Sequence, residues 1–180
     1  MANIYSYQVL KDDTQHAVIK LTGAFDGTGQ ENNVARIAAN TLYGALDANN
    51  VPLRSILSAS NTAKPYYGLT INRLWYDTDT GAGDIQLYWS NTTSAQANAG
   101  VPIIFIQGNG EYDGNGNWIT IKNPLVTNYT NGDIGICSRG QYANASYTII
   151  MELRKENEYY QRGQFNDPAA FNYGDYGLKP

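Results

Sequence analysis

Apolar and polar residues alternate on both arms of the segment Arg73–Ser90, and this pattern constrains the fold more than any other stretch of the chain. Because successive side chains of a strand point to opposite faces, each arm predicts a strand with one apolar, aromatic-rich face. The residues that share a face are Leu69, Ile71 and Trp75 before the turn and Ile85, Leu87 and Trp89 after it. The intervening DTDTGAG is rich in residues that tolerate tight reversals. We expect a β-hairpin whose two tryptophans anchor the core of a sheet.

Short segments of the same kind recur along the chain between turns rich in Gly and Asn. The predicted strands are Tyr5–Leu10, His16–Thr22, Tyr67–Tyr76, Asp84–Ser90, Val101–Ile106, Trp118–Lys122, Ile134–Ser138 and Ser146–Lys155. The last is the clearest, because Tyr147, Ile149, Met151 and Leu153 lie on one face. The chain is therefore predicted to be all-β, a jelly-roll-like antiparallel β-sandwich of about 8–9 strands.

The segment Val34–Asn49 is ambiguous between strand and helix. Val34, Ile37, Leu42 and Leu46 approach helical spacing, whereas Asn40, Thr41 and Gly44 argue against a long helix. We favour a strand over residues 33–41, followed by a short helical turn or a loop through Ala48.

Composition excludes several classes of function. The net charge is −4 and the pI is near 4.8, so there is no electrostatic reason to bind nucleic acid. Only 16% of the residues are charged, and the polar surface must come from uncharged side chains instead. The N-terminal MANIYSYQVLKDD has no basic region followed by a long apolar run, and no apolar stretch reaches the ~20 residues that span a membrane. We expect neither a secretory signal nor a membrane segment.

Residues suited to nucleophilic or metal chemistry are isolated in the sequence. His16 is the only histidine and Cys137 the only cysteine, so neither has a second His or Cys to complete a catalytic or metal-binding set. No nucleophile-elbow or phosphate-binding motif is present. We expect no enzyme activity, no catalytic residue and no cofactor.

Two acidic turns resemble calcium loops only in part. In DGNGN, Asp113, Asn115 and Asn117 match the first, third and fifth ligand positions of an EF-hand, but Trp118 and Pro124 replace the required Gly and Glu. The DTDTGAG turn offers Asp77, Asp79 and Asp84. Both stretches are explained as hairpin turns, so no metal site is expected.

Two sets of aromatic residues are candidates for binding a partner. Tyr76 and Tyr88 have the opposite parity to the neighbouring tryptophans, so they are predicted to face outward. Residues 156–180 follow the predicted domain, residues 1–155, as an extended tail without strand or helix periodicity. This tail is too aromatic for a plain disordered segment, and it is predicted to lie across its own domain or a neighbour. Its candidate partner-binding residues are Phe165, Phe171, Tyr173 and Tyr176.

The order of the predicted strands and the kinds of residues in them resemble those of small β-sandwich virion structural proteins of tailed bacteriophages, marine ones especially. The similarity covers Tyr5–Lys155 and rests on QHAVIKLTG, DGTGQEN, LTINRLWYDT, GDIQLYWS, VPIIFIQGNGEYD, NGDIGICS and ASYTIIMELRK. It includes no active-site motif, and the aromatic tail has no counterpart in it.

The resemblance implies a protein made in the host bacterial cytoplasm and built into the virion at the capsid surface. In that family some members decorate or cement the capsid, often as trimers. The implied partners are the major capsid protein or other virion subunits and further copies of the chain, without nucleic acid or membrane. A glycan-binding module on a phage fibre, and a tail or baseplate component, remain as alternatives.

Overall fold

The computed structural model describes residues 3–27, 34–53, 62–79, 83–90, 100–114, 121–123, 131–139 and 143–161. Ten strands lie in these residues: β1 Ile4–Asp12, β2 His16–Ala24, β3 Val34–Ile37, β4 Leu69–Thr78, β5 Asp84–Ser90, β6 Gly100–Ile106, β7 Asn109–Asp113, β8 Ile121–Lys122, β9 Asp133–Arg139 and β10 Ser146–Lys155. A single turn of 3₁₀-helix, Ala39–Thr41, follows β3.

The strands form two antiparallel sheets packed face to face. The first sheet has the order β1-β2-β10-β4-β7, with β8 also paired to β4, and the second has the order β3-β9-β5-β6. The pairs β2/β10, β3/β9, β4/β7 and β5/β6 fall alternately in the first and second sheet. A two-stranded ribbon thus wraps around the core as in a jelly roll, with β1 added at one edge. The predicted all-β sandwich is confirmed.

The core lies between the sheets and is made by one face of each central strand. Its fully buried side chains come from β2, β4 and β10 on one side and from β5 and β9 on the other: Ala17, Ile19, Leu21, Ile71, Leu74, Ile149, Met151, Leu153, Ile85, Leu87, Trp89, Ile134 and Ile136. Burial of each large aliphatic side chain contributes about 1.5–3 kcal/mol, so this face-to-face contact is the main stabilising term.

The predicted hairpin over Arg73–Ser90 is wrong. β4 pairs with β10, β7 and β8, whereas β5 pairs with β6 and β9 in the other sheet. The apolar faces of the two strands therefore meet across the core instead of lying side by side. Periodicity alone could not distinguish these arrangements. A strand with one apolar face shows the same alternation whether the other strand is its neighbour in the sheet or faces it across the core.

A β-bulge at Asn72 changes which tryptophan is buried. Arg73 pairs with Glu152 and Ile71 with Leu153, so Asn72 is an extra residue that reverses the parity of β4. Leu74 is consequently buried, and Trp75 is turned outward with 36% of its surface exposed. Trp89, on the regular strand β5, is 1% exposed and is a core anchor as predicted.

The ambiguous segment forms a short strand and then a helical turn, close to the favoured interpretation. Its strand is limited to Val34–Ile37, and Leu42, Ala45 and Leu46 are buried in the connection that follows. The strand Asn109–Asp113 was not predicted, because its sequence NGEYD contains strong turn formers. It forms a strand because it pairs with residues 73–77 of β4.

The sandwich continues beyond the predicted boundary at Lys155. Tyr159 and Tyr160 are buried, and the backbone of Tyr160 bridges to that of Ala45. The backbone N–H of Gln161 donates to the carbonyl of Gly44 at 2.7 Å. The domain therefore extends to at least Gln161, and the tail residues Phe165, Phe171, Tyr173 and Tyr176 lie outside the described residues.

Candidate interaction surface

The edge strand β1 carries most of the large apolar side chains that the described residues expose. Those on β1 are exposed by 39–70%: Ile4, Tyr5, Tyr7, Val9 and Leu10. Elsewhere in the described ranges only Trp75 and Phe105 belong to this class. An apolar row on one edge of an otherwise complete sandwich is typical of a surface that another molecule covers.

The register between β1 and β2 shows which face of the sheet carries the exposed side chains of β1. Tyr5, Tyr7 and Val9 pair with Gly23, Leu21 and Ile19 of β2, so they lie on the same face as the core residues of that strand. Leu21 and Ile19 are buried in the core, whereas the three β1 side chains remain 39–52% exposed. Arg36 of β3 reaches this face, and its guanidinium carbon lies 3.7 Å from the centroid of the Tyr5 ring.

The C-terminal end of β1 is held in place by a buried cation. Lys155 of β10 has a fully buried side chain, and its Nζ forms an ion pair with Asp12 and donates to the backbone carbonyls of Asp13 and Tyr43. The other carboxylate oxygen of Asp12 accepts the backbone N–H of Tyr43 at 2.8 Å. All three groups around the ammonium are oxygen acceptors, as a buried lysine requires.

The turn after β1 is organised by Asp13. Its Oδ1 accepts the backbone N–H groups of Gln15 at 2.8 Å and His16 at 2.7 Å, and its Oδ2 lies 2.9 Å from Lys11 Nζ. Partial burial raises the pKa of Asp13, but the bond to Lys11 and the two backbone N–H groups outweigh it and lower the pKa to about 2. This turn and the Lys155 ion pair hold the C-terminal end of β1 in place at the edge of the sheet.

The opposite edge of the sandwich, β6, is exposed in a different way. Phe105 is 67% exposed, and Pro102 is exposed beside it on a strand that pairs only with β5 among the described strands. Pro102 has no backbone N–H, so this edge is a poor template for a further strand.

The structure separates the two tyrosines that were predicted to face outward. Tyr76 is half-buried and packs against the core, because the bulge at Asn72 reverses its parity. Tyr88 lies on the outer face of β5, half-buried, and its hydroxyl donates to Gln86 Oε1. Burial raises the pKa of Tyr88, and Cys137 on the neighbouring strand adds to this shift. Only Tyr88 keeps the predicted orientation.

A buried cluster of tyrosines was missed by the sequence interpretation. The rings of Tyr67 and Tyr160 have centroids 5.5 Å apart, and those of Tyr66 and Tyr159 are 5.6 Å apart. The hydroxyls of Tyr67 and Tyr160 donate to the carbonyls of Leu46 and Ala39. Burial raises the pKa of Tyr159 to about 12 and that of Tyr160 well above its ordinary value. The cluster is structural, since it attaches residues 156–161 to the sandwich.

The isolated chemical groups stay apart in the fold. No group of three or more His, Cys, Asp or Glu that could hold a metal gathers in the described part of the chain. Asp79 accepts both the N–H and the hydroxyl of Ser146, and Asn115 and Asn117 lie outside the described residues. His16 borders an open groove of about 470 Å³ beside Arg154 and Glu156. Cys137 is half-buried on β9.

Comparisons with protein-family models, curated proteins and solved structures found no match. Within the described ranges, no helix is long and apolar enough to cross a membrane.

Proposed function

We propose that this chain is a structural protein of a bacteriophage virion, a decoration or cement subunit that binds the outer capsid shell through protein–protein contacts. The observation that carries the proposal is the exposed apolar row of β1 on a sandwich whose core is already complete, a surface that contacts between the subunits of a particle would cover. Jelly rolls are frequent in viral capsid proteins and in lectins. The fold therefore favours these two classes of function but does not select between them.

Contacts of this kind suit a repetitive assembly. Covering apolar surface contributes about 25 cal/mol per Å², so one small patch gives weak attachment. Repetition of that patch around a symmetric shell multiplies weak contacts into firm binding. Its proposed partners are the major capsid protein or other virion subunits, and the trimer implied by the resemblance remains part of this proposal.

The proposed tail arm extends the same idea to residues beyond Gln161. Phe165, Phe171, Tyr173 and Tyr176 would add aromatic anchors, which are enriched at protein interfaces. A chain ending at Gln161 keeps the buried Tyr159 and Tyr160, so it removes these four aromatics while leaving the core intact.

Binding to particles tests the function. The purified chain is mixed with capsids assembled without it, and the bound fraction is measured by co-sedimentation and located by electron microscopy. We expect saturation at a fixed number of copies per particle on the outer shell. The chain ending at Gln161 should bind at least 10-fold more weakly if the arm contributes. Absence of saturable binding by the full chain to capsids would contradict the decoration role.

A glycan-binding module is the second candidate, and the exposed Trp75 favours it. Trp75 lies on the outer face of the first sheet, where a flat ring can stack on a sugar. A glycan array compares the wild type with Trp75→Ala, and Phe105→Ala serves as a control at an exposed aromatic of the other sheet. Glycan binding that only Trp75→Ala abolishes would support this candidate over capsid decoration.

A further inference from the structure

We propose that β1 is a self-association edge, which pairs antiparallel with β1 of a second copy about a two-fold axis at Tyr7. The proposal concerns contacts between copies of this chain and does not depend on the virion role.

The first argument is that β1 lacks the protection of the other sheet edges. Natural edge strands avoid pairing by being short, by carrying charges or proline, or by bulging. Among the edges that the structure describes, β3 has four residues, β6 contains the exposed Pro102, and β7 carries the exposed acids Glu111 and Asp113. β1 has nine residues and no charge from Ile4 to Leu10. Its one bulge, at Leu10, leaves the segment before it regular.

The second argument is the polarity pattern of the strand. The segment IYSYQVL reads the same in both directions when residues are classed as apolar or polar, with Tyr7 at its centre. In an antiparallel pair centred there, Ser6 meets Gln8 within the regular segment, and Ile4 comes next to the bulged Leu10. Tyr5 meets Val9 by the same rule. Apolar side chains thus face apolar ones, polar face polar, and no like charges are opposed.

The third argument is which face the pairing would cover. Tyr5, Tyr7 and Val9 lie on the core side of the first sheet but remain 39–52% exposed. Two copies joined at β1 would place these rows next to each other, so each row would cover part of the other. The contact would bury on the order of 1,000 Å² in total, the lower limit for a specific interface.

A two-fold contact joins copies in pairs. If the trimer implied by the resemblance also forms, the β1 contact would link subunits of adjacent trimers.

Cysteine cross-linking tests the register directly in the full-length chain. In a Cys137→Ser background, Tyr7→Cys places two thiols opposite each other, with Cα atoms about 4.5–5.5 Å apart, within disulfide range. Tyr5→Cys is the matched control on the same face, because its two copies would be offset by four residues, roughly 13 Å. We expect a covalent dimer with Tyr7→Cys under mild oxidation and none with Tyr5→Cys. No dimer with Tyr7→Cys, or equal cross-linking of both variants, overturns the proposal.

Mass in solution provides the second measurement. Tyr7→Lys opposes two ammonium groups at the axis, and we expect it to weaken association at least 10-fold in sedimentation velocity. Gln107→Lys adds the same charge at an exposed position away from β1 and should leave association unchanged. Circular dichroism checks that both variants fold.

Two outcomes of the mass measurement contradict the proposal. One is a self-association that Tyr7→Lys does not alter. The other is a monomer that dimerises only after residues 162–180 are removed, since that would assign the β1 edge to the chain's own C-terminal segment. Neither measurement uses capsids, so its failure is distinct from failure of the virion role.

Discussion

Lys155, the last residue of β10, forms an ion pair with Asp12, the last residue of β1, and the lysine side chain is fully buried. Its ammonium also donates to the carbonyl of Tyr43 at 2.8 Å and lies 5.3 Å from the centroid of the Tyr160 ring. One cation thus connects the outermost strand, the last strand and the tyrosine cluster.

Replacement of Lys155 by Met should lower the free energy of unfolding by about 3–5 kcal/mol, because it leaves Asp12 and two carbonyls without their donor in a poorly hydrated site. Urea denaturation measures this change. Lys122→Met is the matched control, since Lys122 pairs with Glu156 at 2.7 Å but is half-exposed. That variant should lose less than about 1 kcal/mol. Equal losses in the two variants would show that burial of the Lys155 pair has no energetic consequence.

Truncation should separate the domain from the tail at Gln161. A chain ending at Gln161 should keep the stability of the full chain within about 1 kcal/mol, whereas one ending at Lys155 should lose more than about 3 kcal/mol. The second truncation removes the buried Tyr159 and Tyr160 and opens a cavity in the core. Thermal unfolding of the three chains measures the difference. Equal melting temperatures for both truncations would contradict the assignment of residues 156–161 to the domain.

Gly132 and Gly108 form a matched pair, because both have positive φ, +95° and +70°. Alanine at Gly108 meets no atom within 4 Å, so only the backbone conformation is strained, at about 1–2 kcal/mol. A Cβ at Gly132 would in addition overlap the carbonyl oxygen of Tyr67, which should raise the loss to about 3–4 kcal/mol. Chemical denaturation of both variants measures these losses. A larger loss for Gly108→Ala would contradict this interpretation.

Asp13 should make the fold sensitive to acid. The pKa of Asp13 is about 2 in the fold against an ordinary value of 3.8, so its carboxylate stabilises the native state above pH 3.8 and this contribution is lost as the pH falls through 2. Since its side chain is 42% exposed, screening reduces the effect to on the order of 1 kcal/mol. Asp13→Asn should be less stable than the wild type at pH 6 and equal to it near pH 2. A difference that persists unchanged at pH 2 would contradict the role of the carboxylate.

Individual strands were predictable because their signal is local. Asp84–Ser90 and Ser146–Lys155 have the predicted bounds, since regular alternation between turn residues determines both ends. The pairing of strands was harder to predict from the sequence. Whether β4 joins β5 or faces it depends on β10, far along the chain, and no local pattern carries that information.

The candidate surface was predictable only in part, for the same reason. The outward turn of Trp75 follows from a bulge whose extra residue is defined by the register with β10. β1 was predicted as a strand, but its exposure depends on how far the second sheet extends. The burial of Tyr159 and Tyr160 could not be predicted from periodicity. Both residues enter the core from an irregular segment, where neither the strand period nor the helix period applies.

The wrapping of the ribbon also has a consequence for how the chain folds. β2 is among the first strands to be synthesised, yet it lies between β1 and β10, and β10 is the last of the strands that the structure describes. Pairing strands so distant in sequence requires closing a long loop first, which slows folding. Until the ribosome has released β10, the β1–β2 hairpin presents two unprotected sides. The nascent chain therefore depends on a strand made much later to cover the free side of β2.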